Sequence, residues 1–90
     1  MEIQQFRYFL AAARYENLTK AAEDLHIAQP ALSQSIKRLE TELGVSLFDR
    51  KNHRIELNEQ GKLLKKRLIP LLESNDNLKD ELWESVYSSE

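Results

Sequence analysis

Gln29, Pro30, Ser33, Gln34, Lys37 and Arg38 have types and spacing suited to reading a base sequence. A glutamine amide pairs bidentately with adenine, a serine hydroxyl donates or accepts, and a lysine reaches guanine or a phosphate. On a helix, Ser33 and Lys37 lie one turn apart with Gln34 beside them. Gln29 and Pro30 then stand at the end whose free N–H groups favour an anion. A merely solvated face has the same composition, so the neighbouring elements must decide. Other chemistries have little to work with. There is no cysteine, and His26 and His53 alone cannot complete a structural zinc site. Neither histidine has a convincing acid partner, and no nucleophile and base pair is recognisable. No metal, cofactor or enzymatic turnover is expected, and His26 reads as a partly exposed turn residue.

The elements that must hold these residues are mostly helical. A first helix is expected over Gln4 to Tyr15, with Phe6, Leu10 and Ala13 on one stripe and Phe9 beside it. Asn17 and Leu18 break it. Thr19 suits the N-cap of a short second helix, Lys20 to Leu25, whose inner Ala21 and Ala22 let a neighbour approach closely. After a turn over His26 to Gln29, Pro30 suits the first position of a third helix. Leu32, Ile36, Leu39 and Leu43 give that helix a buried stripe, and Gly44 ends it. A hairpin follows: Val45 to Arg50, a turn around Lys51 to His53, then Arg54 to Leu57, where Ile55 and Leu57 alternate with Arg54 and Glu56. Asn58 caps a final helix from Glu59. The expected class is mainly α, a winged helix-turn-helix of three helices and a two-stranded wing over residues 1–58, followed by a long dimerisation helix over 59–90. The Ala-rich helix just upstream of the third favours the base-reading interpretation, because in helix-turn-helix proteins the second motif helix enters the major groove.

The totals fit one small domain. Only two glycines and two prolines occur in 90 residues, 41% are hydrophobic and 31% charged, which favours helices over disorder or a β-sandwich. No apolar run is long enough to span a membrane, and no secretion signal opens the chain, so the cytoplasm is the expected compartment. A formal net charge of −2 argues against a nucleic-acid partner only until it is mapped. Residues 1–67 carry +3 and residues 68–90 carry −5, with nine basic against five acidic residues between Gln29 and Arg67. A basic face steers DNA even on an acidic chain. Lys62, Lys65, Lys66 and Arg67 either flank DNA or form a solvated helix face.

On the final helix Leu64, Leu68, Leu71, Asn75, Leu78 and Leu82 recur at alternating steps of four and three, a coiled-coil seam with one polar member. A small domain has little left to bury such a stripe against, so a second copy is the expected partner; packing back on the same domain is the alternative. Pro70 removes the bond to the Lys66 carbonyl and is expected to kink the helix.

The chain resembles the LysR-type transcriptional regulators. The residues that carry the resemblance are Phe9, the whole run from Thr19 to Glu40 with its Ala-Gln-Pro-Ala-Leu-Ser segment, Leu43-Gly44, Leu47-Phe48-Asp49-Arg50, Leu57 and Gly61. The resemblance implies a winged helix-turn-helix dimer on interrupted palindromic promoter DNA. It places Gln29, Pro30, Ser33 and Gln34 at base edges, and Thr19, Lys37, Arg38 and Arg50 at the backbone, with His53 and Arg54 of the wing near the minor groove. For Arg50, an ion pair with Asp49 or Glu40 is the alternative. His53 stands where Arg is usual, which puts wing insertion in doubt; Asn58 replaces a usual Thr and Gln60 a usual Ala. The resemblance also implies linker helices paired antiparallel, a tetramer in the longer proteins, and a C-terminal domain that senses a small molecule. That domain is absent from these residues, so the chain is expected to be a truncated piece. A helical adaptor that dimerises through Leu64 to Leu82 without touching DNA is the rival expectation.

Overall fold

A computed structural model describes the backbone of residues 2–52 and 54–87 and the side chains of residues 2–52 and 54–73. The order is α1 (Ile3–Tyr15), α2 (Leu18–Leu25), α3 (Gln29–Leu43), β1 (Phe48–Lys51), β2 (Arg54–Leu57) and α4 (Glu59–Tyr87). Winged helix-turn-helix architecture follows, as expected.

Each of the first three helices ends on a left-handed residue. Glu16 at φ 49° closes α1, His26 at 59° closes α2 and Gly44 at 74° closes α3. The last two are double closures: Ile27 N–H reaches Ala22 O at 3.0 Å and Val45 N–H reaches Glu40 O at 3.2 Å, while His26 and Gly44 bond back inside them. The closure at His26 and Ile27 turns the chain between α2 and α3. Two starts differ from expectation. Asn17, in extended conformation, caps α2 by accepting Lys20 N–H on Oδ1 at 3.0 Å, so Thr19 lies exposed inside the first turn and is not the cap. Ala28 occupies the cap position of α3, which puts Pro30 second rather than first; its missing N–H still falls among those a helix start leaves free.

The core is built from Phe9, Ala12 and Ala13 of α1, Ala21 and Ala22 of α2, Leu32, Ile36 and Leu39 of α3, and Leu47, Phe48, Ile55 and Leu68. On α1 the buried stripe is therefore centred on Phe9, with Phe6 and Leu10 half-buried at its margins. The reason is spatial. Alanines at 12 and 13 are buried in the same cluster as an alanine pair on α2, and such small side chains permit a close approach of the two helices. Phe9 also meets the wing, with its ring centroid 5.5 Å from that of Phe48 at a tilt of 54°.

In the hairpin, Phe48 pairs with Leu57, Asp49 with Glu56, Arg50 with Ile55 and Lys51 with Arg54, and Asn52 takes a left-handed φ of 47° at the turn. The first strand starts at Phe48 instead of Val45. Residues 45–47 are held elsewhere: Leu47 N–H donates to the Glu40 carboxylate at 2.7 Å and Val45 closes α3. The second strand is fastened on its outer edge by Ile55 N–H donating to Glu16 O at 3.5 Å.

Asn58 caps α4 as expected, its Oδ1 accepting Gly61 N–H at 2.8 Å. The helix then leaves the domain, giving a long axis of 58 Å, and remains helical through Pro70. Its leucine stripe divides. Leu68 is 4% exposed and Leu64 half-buried, both against the chain's own core, so the first part of the expected seam is used within one chain and Leu68 has no surface left for a partner. Leu71 is 65% exposed. Asn75, Leu78 and Leu82 lie outside the residues whose side chains are described.

Candidate nucleic-acid interface

Burial of Leu32, Ile36 and Leu39 orients the rest of α3. Pro30, Gln34 and Lys37, which follow one another at four and three residues, are exposed on the opposite side. Ser33 is half-buried at the margin of that face. Gln29, at the first turn, reaches into a groove of about 550 Å³ lined by Asn17, Leu18, Thr19, Arg50, Lys51, Asn52, Arg54 and Ile55.

Thr19, Gln29, Arg50 and Arg54 thus come together from the start of α2, the start of α3 and both wing strands. The wing register explains Arg50. Burial of Ile55 draws that face of the hairpin towards the core, and its cross-strand partner Arg50 extends along the same side into the groove. Lys51 and Arg54 face each other at the tip, two like charges at cross-strand distance, a repulsion that an anion between them would relieve. None of Arg50, Lys51 and Arg54 has a carboxylate partner among the described residues. The alternative of an Arg50 ion pair with Asp49 or Glu40 is not what forms; the Glu40 carboxylate instead accepts Leu47 N–H and lies 3.3 Å from Ser46 Oγ. The partial positive ends of α2 and α3 add to the same field.

Two expected residues sit elsewhere. Arg38 follows Gln29 by nine residues, half a turn round the helix, and lines a separate hollow with Glu2, Gln4, Gln5, Tyr8, Ser35 and Glu42 beside α1. It is not part of the groove. Lys37 borders a shallow depression with Thr41, Val45 and Ser46 at the far end of α3. His53 lies outside the described residues. Asn17, Leu18, Lys51 and Asn52 line the groove and were missed by sequence reasoning. Lys51 carried a signal, its charge next to Arg50 before a turn, whereas Asn17 became visible only once it proved to be the cap. Among the described residues no group of three metal-ligating side chains occurs, and no helix is long and apolar enough to cross a membrane.

The sequence and the fold have close counterparts. The family model described as "Bacterial regulatory helix-turn-helix protein, lysR family" matches residues 3–62. The uncharacterized HTH-type transcriptional regulator YybE of Bacillus subtilis (strain 168) is 45% identical over 82 residues, covering 91% of this chain and 28% of its own length. The HTH-type transcriptional regulator BsdA of the same organism is 47% identical over 73 residues, 80% of this chain and 25% of its own. The chain therefore spans about a quarter of the length of these relatives. Among solved structures, the BenM DBD/benA site 1 DNA complex superposes with a TM-score of 0.89 at 36% identity, covering 93% of this chain and 98% of that one. The CbnR DBD–DNA complex gives 0.90 at 32% identity over 96% and 99%.

Proposed function

This chain belongs to the lysR family of bacterial regulatory helix-turn-helix proteins, and we propose that it binds double-stranded DNA sequence-specifically, as a dimer on two-part sites, with no catalytic step. One observation carries the reading: Thr19, Gln29, Arg50 and Arg54, from separate elements, converge on a groove beside the exposed face of α3. In this reading Gln29, Pro30, Ser33 and Gln34 meet base edges in the major groove, Thr19, Lys37 and Arg50 hold phosphates, and Arg54 with Lys51 brings the wing to the neighbouring groove. The two parts of the site are read by two copies joined through α4 beyond the domain. The residues up to Asn58 form the DNA-binding unit and those from Glu59 the dimerisation helix. The relatives' description as transcriptional regulators supports this reading, as does the DNA present in the complexes that superpose on the chain.

Selection from a random-sequence duplex pool tests it directly. The chain should recover a short motif, repeated in inverted orientation; recovery of unselected sequence would favour the adaptor instead. With that motif in hand, Gln29→Ala or Ser33→Ala should weaken specific binding by about 1–3 kcal/mol for each base that is no longer read, and relax preference at one position. Binding to random duplex should hardly change, and a parallel weakening on both would remove these side chains from base reading.

Arg50→Ala should behave differently. Its groove position and lack of a carboxylate partner make it a backbone contact, so all sequences should weaken alike. The slope of log K against log salt should flatten by about 0.9 for the one phosphate given up. A slope equal to the parent's would exclude Arg50 from the phosphate contacts.

A further inference from the structure

Recognition helix and dimerisation helix barely touch directly among the described residues; α4 packs on α1 and β2, whereas α3 packs on α1 and α2. Besides their shared packing on α1, they are linked by hydrogen bonds through the two-residue segment Ser46–Leu47. On one side Glu40 of α3 holds it, the carboxylate Oε2 accepting Leu47 N–H at 2.7 Å and lying 3.3 Å from Ser46 Oγ. That hydroxyl also reaches Phe48 O at 3.0 Å, so its single proton serves one acceptor at a time. On the other side Asn58 holds it with two bonds, Nδ2 donating to Ser46 O at 2.8 Å and the backbone N–H donating to Leu47 O at 3.1 Å, while its Oδ1 caps α4 by accepting Gly61 N–H. Neither Glu40 nor Asn58 lines the cationic groove.

We propose that Glu40 and Asn58 are positioning residues for the two-part DNA site: by clamping Ser46–Leu47 between them they fix the direction of α4 relative to α3, and so determine the half-site spacing that the dimer accepts. The inference rests on the reading of the chain as a dimeric DNA binder. Leverage makes it matter. Twenty-nine residues of α4 extend about 43 Å at 1.5 Å each. Angular play of about 5° at its start therefore moves the far end by about 4 Å, more than the roughly 3.4 Å between successive bases of a strand. A clamp loosened by a single hydrogen bond is enough to blur spacing by a base pair while each reading head keeps its own contacts.

The two sides of the clamp separate chemically. Asn58→Asp keeps an oxygen for Gly61 N–H but turns an oxygen instead of a donor towards the Ser46 carbonyl. Glu40→Ala removes the acceptor for Leu47 N–H, and Glu40→Gln restores one. Each chain is put through selection from the same random-sequence duplex pool, and the half-site motif and the distribution of spacings are read separately. The parent should return one spacing, with a one-base-pair change costing about ten-fold, of the order of a mismatched base pair. Asn58→Asp and Glu40→Ala should return the same half-site motif with spacings spread over one or two base pairs and that penalty reduced to about two- to three-fold; Glu40→Gln should match the parent. Retention of the single spacing by both altered chains overturns the proposal alone. So does loss of the half-site motif together with the spacing, which would make the two residues general stabilisers. A parent that recovers no motif, or one without a paired half-site, overturns the dimeric DNA-binding reading on which the proposal rests.

Discussion

Gly61→Ala is expected to destabilise the chain by about 3 kcal/mol or more, although helix propensity alone predicts a gain of about 1 kcal/mol for the same change. Gly61 lies in the first turn of α4, and an added Cβ would fall well inside contact distance of the Leu47 carbonyl oxygen and 2.7 Å from Leu57 Cδ2. The leucine side chain can turn aside. The carbonyl cannot, because it accepts Asn58 N–H at 3.1 Å and its residue is held by Glu40. Relief therefore requires α4 to back away, which withdraws Leu68 from the core; a full Leu→Ala truncation there would cost about 2–5 kcal/mol. Overpacking strain of about 1–3 kcal/mol adds to part of that loss. For a small domain this is a large share of total stability. Gly44→Ala supplies the contrast, since its Cβ meets nothing within 4 Å and only the φ of +74° opposes it, at a cost of about 1–2 kcal/mol. Urea melts of the two variants should thus rank Gly61→Ala as the worse. A Gly61→Ala chain as stable as the parent would show that α4 does not approach Leu47 as described.

Where one pattern dominates locally, the sequence was readable. The Leu32, Ile36, Leu39 stripe, the Gly44 stop, the Asn58 cap and the alternation in β2 all depend on neighbours within one or two turns, and each came out as expected. The errors arise where two local signals compete or where a distant contact decides. Asn17 and Thr19 are both good caps two residues apart, and spacing cannot rank them; the extended backbone at Asn17 does. Val45 to Leu47 has strand composition but is captured by the Glu40 carboxylate, a residue on the preceding helix. Phe6, Leu10 and Ala13 have helical periodicity, yet the alanine pair on α2 decides which face of α1 closes up. The candidate site was half legible. Gln29, Thr19, Arg50 and Arg54 have telling residue types in the sequence, though not their convergence, whereas Arg38, indistinguishable from Lys37 by charge and adjacent to it, turns to the opposite flank. The groove itself had no sequence signature, because it exists only through the register that sets Arg50 opposite Ile55.

Leu78→Ala and Leu82→Ala are expected to move the chain towards monomer, each at about 2–5 kcal/mol of association free energy if fully buried in the dimer. The argument starts from the division of the stripe on α4. Leu68 serves the chain's own core, and Leu71, the next member, is 65% exposed where the helix leaves the domain. Helix continues to Tyr87, and in the sequence the alternation of four and three carries the stripe on through Asn75, Leu78 and Leu82. A second copy meeting the same stripe buries it symmetrically. Two α3 helices held this way can address successive turns of one DNA face, about 34–36 Å apart. In such a dimer Asn75 among leucines is expected to contribute register rather than strength, because a buried amide must find a partner. Asn75→Leu should therefore keep or strengthen association while admitting other assemblies. Leu68→Ala should lower the melting temperature of the domain, whereas Leu82→Ala should lower association and leave half-site binding near the parent value. Sedimentation equilibrium on these chains, followed by binding to paired and single half-sites, separates the two roles. A parent chain that stays monomeric at high micromolar concentration, or a Leu82→Ala chain that stays dimeric, would place the dimer contact somewhere other than this stripe. In the expected case paired sites lose far more affinity than single ones, because each monomer still reads its own half.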